Sequence, residues 1–175
     1  MDPWQYQQPD IQTVFSGKDL DSVDKGRLLN GIKPRGGTPL HDAVCQAMED
    51  LKQKITKTRK TSRPDTVTVV IFTDGEENRS KKHNLADVQQ TITEAQERGW
   101  NILFLGAGID AFATGRQFGL ADTSIKRTEH SSVGTRGSMA GTSSYVGELR
   151  MGGSSRSASK KFDDTYQGIV MVEED

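Results

Sequence analysis

The chain has 175 residues, enough for one domain with a sizeable core and too few for two of ordinary size. Its 23 Lys and Arg nearly cancel its 24 Asp and Glu, which excludes the positive excess that holds nucleic acid or an anionic membrane surface. The one cysteine, Cys45, excludes an intramolecular disulfide and a Cys-based zinc cage, and no stretch approaches the ~18 apolar residues of a membrane span or the pattern of an export signal; the expectation is a soluble, cytoplasmic protein.

In chain order, IQTVF (Ile11 to Phe15) is bounded by Pro9 and Ser16-Gly17 and is expected to be a short strand. The mixed, charged stretch to Arg35 is expected to be irregular, with one helical turn at Arg27 to Leu29. From Thr38 onward, Leu40, Ala43, Val44, Ala47, Met48, Leu51 and Ile55 recur at the spacing of a buried helix face. Thr38 suits the N-cap, and Pro39 suits the first helical position, where its missing N–H costs nothing. The basic stretch KTRKTSRPD is expected to be a solvated loop. It leads into TVTVVIFT, a β-branched run that suits a strand covered on both faces.

Asn84 can cap a second helix that buries Leu85, Val88, Ile92 and Ala95 and ends at Arg98-Gly99. WNILFLGAG is a second buried strand, Asp110 to Phe118 a short helix closed by Gly119, and TSIKRT a third strand. Strand and helix alternating over short joins predict an α/β fold: a Rossmann-like, mostly parallel sheet with helices on both faces. The low apolar fraction, 33%, implies that part of the chain carries little core. Residues 131–175 are therefore expected to be a polar, Ser/Gly-rich extension: a modest helix at Ala140 to Met151, a flexible linker GGSSRSASKK, and a terminal IVMVEED able to form an edge strand or a docking tail.

Ligands of open parallel sheets bind at the carboxyl ends of the strands. Asp74 stands at that end of TVTVVIFT, and Thr38 begins a helix that can reach the same edge. A carboxylate and a hydroxyl are hard oxygen donors suited to Mg²⁺, which keeps several waters of its own. Gly36 and Gly37 would let the backbone bring Thr38 close, while Gly75 and Glu76 flank the aspartate. Taken singly, Thr-Pro is an ordinary helix start and Asp-Gly an ordinary turn; their order, with a helix between, is what carries the signal.

These segments, GGTPLHDA (Gly36 to Ala43), VVIFTDGEEN (Val69 to Asn78) and WNILFLGAGIDAFATGRQFG (Trp100 to Gly119), resemble the von Willebrand factor type A domain over roughly residues 10 to 130. The likeness is nearest to its small stand-alone bacterial and phage members. It implies a binding module, not an enzyme, with a Mg²⁺ or Mn²⁺ site built from three loops and completed by an acidic side chain of a protein partner. Thr38 matches the second loop and Asp74 the third. The first loop, Asp-x-Ser-x-Ser, is missing; DTSIK (Asp122 to Lys126) has one of its serines and a lysine in place of the other.

By this resemblance the domain, residues 1–130, is N-terminally incomplete, lacking a strand, a helix and a further strand. Weak metal binding follows, as does an apolar sheet edge prone to association. A downstream start, a split or decayed gene, a donated partner segment, and a permuted arrangement with Asp175 as the missing aspartate are the explanations open at this level.

Two other readings stay open. GAGIDA (Gly106 to Ala111) has the G-x-G-x-x-A form of a dinucleotide loop, and Glu129 lies near the position of a ribose-binding acid; an NAD-type enzyme would use it. A degenerate structural domain would bind no metal. Of the remaining candidates, His41, His83 and His130 share no zinc-like spacing, and His41 is expected on the solvent side of its helix. Cys45 is expected to be a packing residue, and Glu76 with Glu77 a solvated acidic rim.

Overall fold

The computed structural model describes residues 11–24, 26, 30 and 36–171. Three strands form one parallel sheet in the order β1-β2-β3: β1 (Thr68–Thr73), β2 (Asn101–Ala107) and β3 (Ile125–Thr128). Thr68 pairs with Asn101 and Thr73 with Gly106, while Phe104 pairs with Ile125 and Ala107 with Thr128. The helices are α1 (Leu40–Lys57), α2 (Leu85–Glu97), α3 (Ala111–Gln117), α4 (Ser132–Arg150) and α5 (Ser155–Val170).

β2 is the centre. Its side chains alternate between two cores: Ile102 and Phe104 join Leu40, Val44, Met48, Val88, Ile92 and Phe118 from α1, α2 and the end of α3, whereas Leu103 and Leu105 meet Tyr145, Leu149, Ala158 and Phe162 from α4 and α5. Leu103, Phe104 and Leu105 are each completely buried, a contribution of roughly 2–3 kcal/mol apiece. An unbroken apolar run is therefore what β2 needs, and helices do cover β2 on both faces.

α2 begins as its sequence dictates. Asn84 accepts hydrogen bonds from the N–H groups of Ala86 and Asp87, and Asp87 closes the reciprocal bond to the Asn84 N–H. Asp110 caps α3 by accepting from Ala113 N–H, and Gly119, at φ +84°, turns the chain out of it. At the far end of α1, Arg63 donates to the Thr58 and Thr56 carbonyls, so part of the basic stretch closes that helix.

Several expectations need correction. Residues 131–161 are not a flexible extension: α4 and α5 are long helices packed face to face and onto β2. Low hydrophobicity misled because glycine replaces bulk at this interface. A Cβ at Gly137 would lie 2.9 Å from the Tyr166 ring and one at Gly141 2.9 Å from the Phe162 ring, so the helices approach closely without large side chains. The expected linker supplies the Ser154 cap of α5, and Ile169-Val170 end that helix in place of an edge strand; residues 172–175 lie outside the described ones.

β3 is fastened to α5 by Lys126, buried, with its Nζ 2.7 Å from both Asp163 carboxylate oxygens and 2.8 Å from Ser159 Oγ. Ile11 to Phe15 is not a strand, since none of the described strands pairs with it; the turn expected at Arg27 to Leu29 lies outside the described residues.

Nor is β1 covered on both faces. Ile71 and Thr73 point into the α1–α2 core, but Val70 is 39% and Phe72 41% exposed, because α4 and α5 lie on β2. Among the described residues β1 pairs with β2 alone. The α1 stripe is likewise wider than the surface it covers: Ala47, expected inside, is exposed.

Candidate functional site

Four loops meet at the carboxyl ends of the strands: residues 36–39 before α1, 74–84 after β1, 108–110 after β2 and 129–131 after β3. The first two are tied together by a net of hydrogen bonds that begins in α1. That helix starts at Leu40, and Thr38 is not its cap; no side-chain cap bond comes from the residue before it. Two N–H groups of the first turn are satisfied from 36–38 residues away. His41 N–H donates to Glu77 Oε2 at 2.8 Å, and Asp42 N–H to Ser80 Oγ at 3.0 Å.

Glu77 is the hub of the 74–84 loop and not a solvated rim. Besides His41, it accepts from the N–H groups of Arg79 and Ser80 and from the Ser80 hydroxyl, at 2.7–2.8 Å. Burial alone would raise its pKa. The bonds from the Ser80 hydroxyl and N–H and from the His41 and Arg79 N–H groups outweigh that and bring it from 4.5 to about 2.

Asp42 does the same from the helix side. Its carboxylate accepts from three successive N–H groups, Lys81, Lys82 and His83, and faces His83 Nδ1 at 3.0 Å. Burial opposes the charge and is again outweighed, so that the pKa falls from 3.8 to about 2. Neither role was visible in sequence, since every donor to Asp42 lies about 40 residues away along the chain. His41 also differs from expectation: it stands edge-on to Phe118 and is largely covered.

This scaffold sets the two proposed ligands. Thr38 is gripped by Asn78, whose side-chain oxygen accepts the Thr38 N–H at 2.8 Å and whose own N–H donates to the Thr38 carbonyl at 3.2 Å. The Thr38 hydroxyl lies against Gly75, where a Cβ would fall 2.6 Å from Oγ1. Thr73 Oγ1 closes the turn at Gly75 by donating to its carbonyl and accepting its N–H. Thr38 and the residue after Asp74 are thus in direct contact. Asp74 itself is largely exposed, and so is Glu76.

The two glycines before Thr38 are not equivalent. Gly37 has φ +83°, and a Cβ there would strike the Arg79 side chain, which donates from Nη1 to the Gly36 carbonyl. Gly36 has open space around it, so its lack of a side chain serves no close approach. An unexpected neighbour is His130, whose Nε2 is 3.9 Å from Asp74 Oδ2 and whose ring lies over Gly108.

The GAGIDA loop is closed in a different way. A Cβ at Gly106 would fall 2.6 Å from Ala111 Cβ, so this glycine serves strand-to-helix packing. The start of α3, where a pyrophosphate would sit, already holds the Asp110 carboxylate. The Glu129 carboxylate accepts from the Ser131 hydroxyl at 3.4 Å, while its backbone N–H donates to Tyr166 Oη. Cys45 is buried between α1 and α2, and that burial raises its pKa.

Among the described residues no three His, Cys, Asp or Glu side chains converge on one point. No protein-family model matches the chain, and no match is found among curated proteins or solved structures.

Proposed function

We propose that the chain is a divalent-metal-dependent protein-binding module of the von Willebrand factor type A kind, with Thr38 and Asp74 as its own contribution to the metal site. One observation carries the reading: of the acidic side chains at this edge, Asp42 and Glu77 are consumed in holding the loops, while Asp74 is largely exposed, 3.9 Å from His130, and the residue after it, Gly75, lies against the Thr38 hydroxyl.

The donor set fits a hard cation that retains most of its water. One carboxylate and one hydroxyl suit Mg²⁺ or Mn²⁺ and give weak affinity. Asp74 and Thr38 would hold the ion, with Gly75 and Glu76 beside them; when bound, it supplies a coordination position for an acidic side chain of the protein partner.

Titration of the protein with Mn²⁺, followed by the electron paramagnetic resonance signal of the free ion, tests this. Binding with a dissociation constant of roughly 10⁻⁴–10⁻³ M is expected, and Asp74→Ala weakens it at least ~tenfold. Equal binding by Asp74→Ala would place the ion elsewhere. No binding by either protein would leave a structural domain without metal.

A further inference from the structure

The other end of the sheet carries a site of different chemistry. Where α1 and α2 finish and β2 begins, a cavity of about 310 Å³ opens between Lys52 and Thr56 of α1, the stretch from Arg63 to Asp65, and Arg98 with Trp100. Its walls are fixed by backbone bonds. Gly99, at φ +76°, turns the chain out of α2; the Trp100 N–H then donates to the Ala95 carbonyl and the Asn101 N–H to the Val67 carbonyl. Arg63 is held in the same way, with Nε and Nη2 on the Thr58 and Thr56 carbonyls at 3.2 and 3.1 Å.

The charges that line this cavity do not cancel. Lys52 is answered, by Glu49 at 3.6 Å and Glu94 at 3.2 Å. Arg98 is exposed, and among the described residues no hydrogen bond or ion pair within 4 Å engages its side chain; Glu94 feels it only through a longer-range attraction. Arg63 has its two carbonyls and no carboxylate. Asp65 lines the cavity without pairing with either arginine. Two guanidinium groups thus face one carboxylate, and the lining is net positive.

Trp100 supplies an apolar wall. Only partly buried, it borders both this cavity and a smaller one of about 50 Å³ whose lining includes Cys45, Met48 and Ala95 between the helices. Glu49 and Glu94 border the smaller cavity alone, so a negative group is kept out of it and directed to the arginines.

We infer that this cavity binds a small organic anion, its carboxylate or phosphate held by Arg63 and Arg98 and its flat or apolar body laid against Trp100. Guanidinium forks match both kinds of oxyanion and stay charged at every physiological pH, and an indole face receives a ring or an alkyl chain. A bare ion would use only half of the lining. The site stands at the start of the strands, at the opposite end of the sheet from Thr38 and Asp74, and is independent of the metal reading.

Saturation-transfer NMR with phenyl phosphate and with benzoate, at about 0.15 M salt, tests the inference. At least one probe is expected to bind with a dissociation constant of roughly 10⁻⁴–10⁻³ M, and the tighter one identifies the oxyanion. Arg98→Gln, at an exposed side chain, should weaken that binding at least ~tenfold with the circular dichroism spectrum unchanged; Arg63→Gln is the second such variant. Asp65→Asn should tighten it about two- to fivefold, because the opposing carboxylate is gone. Inorganic phosphate and formate, read by competition, should bind at least ~tenfold more weakly than the corresponding ring-bearing probes. Absence of binding by both probes, or wild-type affinity in both arginine variants, overturns the inference. Bare ions as tight as the ring-bearing probes, or an Asp65→Asn protein that binds more weakly, overturn it as well.

Discussion

Asp42→Asn tests whether the net between α1 and the 74–84 loop carries the stability that its geometry implies. The folded-state pKa of about 2, against 3.8 for an ordinary aspartate, corresponds at ~1.4 kcal/mol for each tenfold in proton affinity to about 2–2.5 kcal/mol of stability from the charged form. The Asp42 side chain is only 10% exposed, so solvent screening removes little of it. Asparagine keeps the shape but presents an NH₂ group where backbone N–H groups point, and the loss should approach the full figure. For a chain of this length that is about 4–10 °C in Tm.

The sign with pH follows from the direction of the shift. A depressed carboxylate pKa stabilises at all pH values above the unfolded pKa, and the contribution disappears as pH falls from about 4 through about 2. Thermal unfolding of wild type and Asp42→Asn should therefore differ fully at pH 7 and converge toward pH 2.5. A difference that is absent at pH 7, or that persists unchanged at pH 2.5, refutes the assignment of Asp42 as an anionic anchor for the Lys81–His83 backbone.

Glu77→Gln should lose a comparable 1–3 kcal/mol, and urea unfolding at neutral pH measures it; because Glu77 also orders the loop bearing Asp74, Mn²⁺ affinity should fall in the same variant. Gly75→Ala should displace the Thr38 hydroxyl, into which its Cβ would project, and weaken Mn²⁺ binding, whereas Gly36→Ala, with open space around it, should leave binding unchanged; equal effects would remove Thr38 from the site. Asp163→Asn leaves the buried Lys126 ammonium without its counter-ion and should cost about 1–3 kcal/mol, while Lys126→Met removes charge and partner requirement together and should cost about 1 kcal/mol or less, both by urea unfolding.

Local rules were enough for much of this chain. The apolar spacing of α1 and α2, the Asn84 capping box, the continuous apolar run of β2 and the glycines after α2 and α3 each express a preference complete within a dozen residues, so order and parallel class could be read directly. Thr38 and Asp74 stand out in the sequence in the same way, as oxygen-bearing side chains at the sheet edge where helix starts and strand ends meet.

What failed were judgements that depend on the opposing surface. A polar, glycine-rich stretch resembles a linker until α5 supplies Phe162 and Tyr166 to fill the space that Gly137 and Gly141 leave. TVVIFT resembles a strand buried on both faces until α4 and α5 prove to cover β2 in its place. Asp42 and Glu77 look like surface acids because carboxylates usually are; only the return of the chain about 40 residues later brings the N–H groups that hold them.

The sequence by itself determined the first three helices and the three strands of the sheet, and which side chains offer oxygen at the sheet edge, because propensity, capping and periodicity are satisfied among near neighbours. Tertiary structure alone decided which carboxylates are spent on the fold and which remain exposed, and which apolar faces stay open. Those outcomes depend on what lies across a few ångströms of space, and a hydrogen bond or a packing contact takes no account of how far apart its partners stand along the chain.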